Sequence, residues 1–259
     1  SSVSDSPPPF KVAVIGAGYS GLALARTLQQ SEGQQVVVTV FEQFEADVLV
    51  RCCGEVNLPN GQASFKRMGL EKEWRKFALA KTPPVASSEA VCFVPIQAVR
   101  LAIANSLRPG TLQFSHRVGQ VTVCPSDAGD RLTVEFNQGA ISCGPYDLVV
   151  AADGLGGSIN LLASRPSDRL AVIGDARWAR RRFWDMGMAQ RARGASTALR
   201  DGADLAVTIL KEASRAAQTE TPFTPPAQWL GTFHAPRPRF QQLRQLAGEV
   251  GFAVVSVSL

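Results

Sequence analysis

The patterned part of the chain begins with Phe10–Ile15 (FKVAVI), a short apolar run broken only by Lys11 and stopped by Gly16. A run of this length bounded by glycine predicts a buried strand. Leu22–Gln30 (LALARTLQQ) then places its apolar residues at helical spacing, and Val36–Glu42 (VVVTVFE) is a second β-branched run. The three together predict a strand–turn–helix–strand unit of about thirty residues.

Further along, Ala46–Ala80 is helical or irregular, with its clearest helical pattern over Glu71–Ala78, and Pro83-Pro84 marks a break. Val94–Leu107 (VPIQAVRLAIANSL) predicts a helix entered through Pro95, while Thr111–Val123 and Arg131–Phe136 alternate like strands. Tyr146–Ala152 (YDLVVAA) and Leu170–Ile173 (LAVI) predict two more buried strands. A helix follows from about Ser196 to Lys211, and a last helical piece is expected near Phe240–Leu246. Buried strands alternating with helices predict an α/β class: a Rossmann-like doubly wound parallel sheet with a small added antiparallel β element. The expected organisation is an arm over residues 1–9, a nucleotide-binding domain over 10–215 and a Pro-rich extension over 216–259. The opening SSVSDSPPP reads either as a disordered arm or as the stub left by a removed leader.

Composition changes this picture little. An apolar fraction of 45% and a charged fraction of 19% are those of an ordinary globular chain with a sizeable core. The five cysteines are odd in number and form no C-x-x-C, which argues against a disulfide framework or zinc site and for a reducing compartment. No apolar run approaches the roughly 18–20 residues of a membrane helix. The net charge of +5 is concentrated: nine arginines fall between Arg165 and Arg200, against Asp168, Asp175 and Asp185. That cluster is either a solvated face or, over Arg177–Arg193, a docking surface for a protein partner. No nucleic-acid-binding pattern accompanies it. His116 and His234 have no nucleophile or metal spacing around them and read as ordinary structural or surface residues.

The chemistry resides in Gly16-Ala-Gly18-Tyr19-Ser20-Gly21, which follows a predicted strand, opens a helix and is answered by Glu42 at the end of the next strand. In a dinucleotide site Gly16 permits the tight turn, Gly18 lets the backbone approach a diphosphate, and Gly21 lets helix and strand pack closely. The amides around Tyr19 and Ser20, at the positive end of the helix, would meet the phosphates. Glu42 would accept hydrogen bonds from the adenosine ribose and repel a 2′-phosphate, disfavouring NADP there. The plain alternative is a structural glycine turn.

Three ordered patterns resemble the FAD-dependent aromatic hydroxylases, the class A flavoprotein monooxygenases of the p-hydroxybenzoate hydroxylase type. They are Gly16–Gly21 with Glu42, then Asp153-Gly154 after YDLVVAA, then Gly174-Asp175-Ala176 after LAVI with Gly194-Ala-Ser-Thr-Ala-Leu-Arg-Asp201 behind it. Leu58-Pro-Asn-Gly61 and Met68-Gly-Leu70 also resemble that family's segment after the second strand. The resemblance implies FAD as cofactor and NAD(P)H as electron donor. Under it, Asp175 hydrogen-bonds the ribityl chain. The backbone of Gly194 and Ala195, at a helix start, faces the pyrimidine end of the flavin, and Asp153 lies near the diphosphate. A turn residue capping a helix is the alternative for Asp153.

The departures are specific. Ile96 stands where the family carries an arginine near the flavin phosphates, and Gly157 and Asn160 stand where its DG motif continues to Ser and Arg. Ala192 replaces a glycine, and an arginine-rich stretch precedes Gly194. Only residues 155–173 separate the second and third patterns, where the family carries a substrate domain. The expectation is that this domain is reduced to a linker near 158–169 or that residues are omitted there. Two further readings stay open: a non-catalytic scaffold or accessory subunit docking through the arginine segment, and an NAD-binding regulatory module that uses the first pattern alone.

Overall fold

A computed structural model describes residues 9–31, 36–51, 54–58, 60–78, 93–124, 131–152, 170–173, 193–219 and 253–255. The expected fold class is the one the chain adopts. A six-stranded sheet is built from β1 (Phe10–Ile15), β2 (Val36–Phe41), β5 (Leu112–Gln113), β9 (Leu148–Ala151), β10 (Leu170–Ile173) and β11 (Ala253–Val255). Their order is β11-β10-β9-β1-β2-β5 and every neighbouring pair is parallel. The chain builds one way from β1 through β2 to β5, and the other way through β9 to β11. The order therefore reverses beside β1, where ligand crevices form in open α/β sheets.

At β1, β2 and β9 both faces of the sheet are covered, which explains why these strands read as largely apolar runs. Along these three strands side chains alternate between two cores. Val12, Val14, Val38, Val40, Leu148 and Val150 enter the helical side. There they meet α1 (Tyr19–Leu28), α3 (Gly61–Arg67), α4 (Glu71–Ala78), α5 (Ile96–Asn105) and α6 (Arg193–Thr219). Ala13, Ile15, Phe41, Val149 and Ala151 point the other way, onto Val121, Leu132, Val134, Phe136 and Tyr146 of a three-stranded antiparallel sheet. That sheet has the order β6 (Val118–Cys124), β7 (Arg131–Phe136), β8 (Ile141–Tyr146), and is the small antiparallel element expected. A short pair, β3 (Glu55–Asn57) with β4 (Phe93–Pro95), and a single-turn helix α2 (Val48–Arg51) complete the described elements.

Several boundaries differ from the sequence reading, each for a tertiary reason. The run Thr111–Val123 divides into β5 and β6, which belong to different sheets. Between them Ser115 takes a positive φ of 59°, and its amide donates to the Phe44 carbonyl at 2.9 Å. Tyr146–Ala152 likewise divides at Asp147: Tyr146 ends the antiparallel sheet and Leu148 begins β9. Asp147 holds that corner by accepting from the Lys11 amide at 2.8 Å and pairing with Arg131 at 3.2 Å. Val94 and Pro95 belong to β4, because Val94 pairs with Val56, and the helix begins one residue later. The final helix runs longer than expected, over Arg193–Thr219, and Ala253–Val255 adds a strand at the sheet edge. The helical piece expected near Phe240–Leu246 lies outside the described residues.

Candidate functional site

The Gly16–Gly21 turn lies where β1 ends and α1 begins. Gly16 has a φ of 110°, which disfavours any side chain, and its amide donates to the Phe41 carbonyl at 2.7 Å. The turn is thereby tied to the end of β2. A β-carbon at Gly21 would lie 2.0 Å from the Gly16 carbonyl oxygen, so helix and turn touch backbone to backbone. Gly18 is different. It is the N-cap of α1 with a φ of −75°, it makes no side-chain cap, and among the described residues a β-carbon there would meet only the Ala152 carbonyl, at 3.9 Å. Among those residues the turn is thus closed on the side of Gly21 and open at Gly18. Ser20 is buried and Tyr19 half-buried, both in the first turn of α1.

Glu42 follows β2 directly and is only 7% exposed. Its Oε2 accepts from the Ala17 amide at 2.9 Å and its Oε1 from the Phe44 amide at 3.1 Å. The acid therefore faces the glycine turn. A carboxylate has about four lone-pair sites, of which these two amides use two. The others suffice for a pair of sugar hydroxyls.

Residue 96 is apolar, but α5 carries a buried cation one helical turn further on. Arg100 is 8% exposed, and its guanidinium donates to the Val48 carbonyl at 2.9 Å and the Ala17 carbonyl at 3.3 Å. A cation therefore reaches the glycine turn from α5, although residue 96 is apolar. The signal was present in sequence: Arg100 shares the buried face of α5 with Val99, Ile103 and Ala104, where apolar spacing leaves no room for a solvated charge.

Asp153, Gly174 and Asp175 lie outside the described residues, as does the arginine segment up to residue 192. The strands that lead to them, β9 and β10, run parallel to β1 and end on the same edge of the sheet. Gly194 and Ala195 fall in the first turn of α6, as expected of a helix start, and Ala195 packs against the helical core. Two residues of α6, Gly202 and the Asp201 that ends the third pattern, take places that the sequence did not assign them. Gly202 lets α6 lie directly on the start of α1. Asp201 is 2% exposed; Arg200 Nε donates to its Oδ1 at 3.3 Å, and Oδ2 has no hydrogen-bond partner among the described residues. Burial pushes this carboxyl up to about 6; Arg200 opposes the rise and Asp204 adds to it.

His116 is packed at the junction of the two sheets. Its ring packs against Phe41 and Phe136, and Nδ1 lies 2.6 Å from the Phe114 carbonyl. Among the described residues no group of acids, histidines and cysteines is arranged to hold a metal ion, and no helix is long and apolar enough to cross a membrane.

The sheet order, with the glycine turn between β1 and α1, defines an α/β doubly wound fold. No family profile matches the chain. Among solved structures it is similar to tetracycline destructase Tet(51), with 21% identity over 57% of this chain and 39% of that one, at a TM-score of 0.43. It is also similar to the tetrameric form of 2-methyl-3-hydroxypyridine-5-carboxylic acid oxygenase, with 20% identity over 59% of this chain and 42% of that one, at a TM-score of 0.44. The chain thus spans about two fifths of the length of these structures. At such overlap the fold assignment rests on the sheet order itself.

Proposed function

We propose that this chain is an FAD-binding flavoprotein of the oxidoreductase type, holding the adenine dinucleotide in the crevice between β1 and β2. The observation that carries the reading is the Glu42 carboxylate, buried and 2.9 Å from the Ala17 amide, set against a turn that stays open at Gly18. The diphosphate would approach the backbone at Gly18 and meet the uncapped positive end of α1. Arg100, held against the same turn through the Ala17 carbonyl, raises the local positive potential. Glu42 would take the ribose hydroxyls on its remaining lone pairs and reject a 2′-phosphate.

FAD is favoured over NAD by the two later patterns, Asp153-Gly154 and Gly174-Asp175, which follow strands running parallel to β1, and by Gly194-Ala195 at the start of α6. A bound flavin would supply the redox chemistry, with NAD(P)H as reductant. The chain's own contribution is to bind, orient and exclude water.

The test is reconstitution. Purified protein incubated with excess FAD and desalted is expected to retain flavin absorbance, and calorimetric titration to show FAD binding more tightly than NAD. A colourless protein with no heat of FAD binding overturns the reading. NADH and NADPH oxidation by the reconstituted protein then reports whether turnover accompanies binding.

A further inference from the structure

We propose that Phe44 is the platform on which the adenine base stacks; the inference rests on the dinucleotide reading above and extends it to the base. Phe44 is a large aromatic side chain left 50% exposed, although Val40 and Phe41, at the end of the strand that leads to it, are buried. Its backbone is not loose. The Phe44 amide donates to Glu42 Oε1 at 3.1 Å, and the Phe44 carbonyl accepts from the Ser115 amide at 2.9 Å. Ser115 holds a positive φ of 59° there, and the next amide, that of His116, donates to the Glu42 carbonyl at 2.8 Å. The exposed ring therefore stands on backbone pinned to the same carboxylate that would grip the sugar.

The chemistry of the occupant follows from that placement. The sugar nearest an acid at the end of the second strand is the adenosine ribose, and the base attached to it is adenine. A base projecting from a ribose on Glu42 comes within a side chain's reach of residue 44. The neighbours at this lip, Gln43 and Arg117, are exposed and lie within hydrogen-bonding reach of each other, Arg117 Nε to Gln43 Oε1 at 3.4 Å. They offer polar edges, whereas Phe44 offers a flat apolar face. Stacking on such a face tolerates any base, so the ring supplies affinity for a planar heterocycle and Glu42 supplies the choice of sugar.

The experiment titrates wild type, Phe44→Ala and Phe44→Trp with FAD and, separately, with ADP. Phe44→Ala is expected to raise the Kd for both ligands roughly tenfold while its thermal midpoint stays at the wild-type value. Phe44→Trp is expected to keep wild-type affinity and to lose indole emission on adding ADP. Wild-type affinity in Phe44→Ala, or unchanged emission in Phe44→Trp, overturns the stacking role while leaving FAD binding intact. Failure of the wild-type chain to bind either ligand overturns both readings, so the two failures are distinguishable.

Discussion

Gly202 of α6 lies against Ser20 of α1 so closely that a β-carbon at residue 202 would sit 2.3 Å from the Ser20 carbonyl oxygen and 3.2 Å from the Leu24 nitrogen. The helix that begins beside Gly194 is thereby seated on the helix that opens the glycine turn. The obstacle is backbone on both sides, so no side chain can swing away. Gly202→Ala is expected to destabilise the fold by about 3 kcal/mol, at the upper end of overpacking costs. Urea denaturation checks this, and a stability within error of wild type would mean that α6 does not sit this close.

Gly18 gives the opposite expectation from the same residue type. Its φ is −75° and its face is open among the described residues, so Gly18→Ala should change stability by no more than about 1 kcal/mol. The added methyl would stand where a diphosphate must approach, and FAD affinity is expected to fall about tenfold or more. Calorimetric titration beside a thermal melt reads both. Unchanged affinity would place the phosphates elsewhere.

Glu42 serves the turn before it serves a ligand. In Glu42→Gln one of the two amides, Ala17 or Phe44, would face an NH2 group instead of an acceptor. An unpaired buried donor costs about 1–3 kcal/mol. The variant is therefore expected to lose stability without ligand as well as affinity for FAD. A variant with full ligand-free stability would show that these hydrogen bonds contribute nothing to the fold.

Removing the Arg100 guanidinium takes a donor from the Val48 and Ala17 carbonyls and a cation from beside the turn. Arg100→Met keeps much of the apolar bulk. It is expected to cost about 1–3 kcal/mol in urea denaturation and to weaken FAD binding, with a shallower dependence of the Kd on salt. A salt dependence equal to that of wild type would remove Arg100 from the electrostatics of the site.

Asp201 makes stability depend on pH with a sign opposite to that of a paired carboxylate. Burial raises its folded pKa to about 6, above an unfolded value of about 4, so the folded chain binds the proton more tightly. Between those values the folded state carries more protons, and its contribution to stability declines as pH rises. Below about pH 4 the contribution is neutral, and above about pH 6 the destabilisation is complete. Asp201→Asn is expected to gain up to about 2 kcal/mol near pH 7.5 and to flatten the slope between about pH 4 and 6. Denaturation midpoints across that range decide it; an unaltered slope would show that the carboxyl titrates normally.

Much of the fold was legible because its signals are local. Phe10–Ile15, the glycine turn, α1, Val36–Phe41 and the acid at 42 follow one another within a single unit, and each is dictated by its own composition and spacing. The apolar runs at 148–151 and 170–173 were visible for the same reason, and at 148–151 the strand is buried on both faces and so must be apolar throughout. Less visible were the ends of elements. Asp147 and Ser115 interrupt apolar or alternating runs because the chain changes sheet there, and the partner strands are distant in sequence.

The amino-acid sequence by itself determined the class of fold, the closeness of Gly21 to the turn and the kind of group at residue 42, since each follows from neighbouring residues. Only the tertiary structure decided what those groups face. It brought Arg100 to a carbonyl of the glycine turn, seated Gly202 on Ser20, isolated the Asp201 carboxyl from water and left Phe44 at the lip beside Glu42. The contacts of Arg100 with the turn and of Gly202 with Ser20 join residues many positions apart. Local periodicity carries no record of them, because they exist only once the layers have packed.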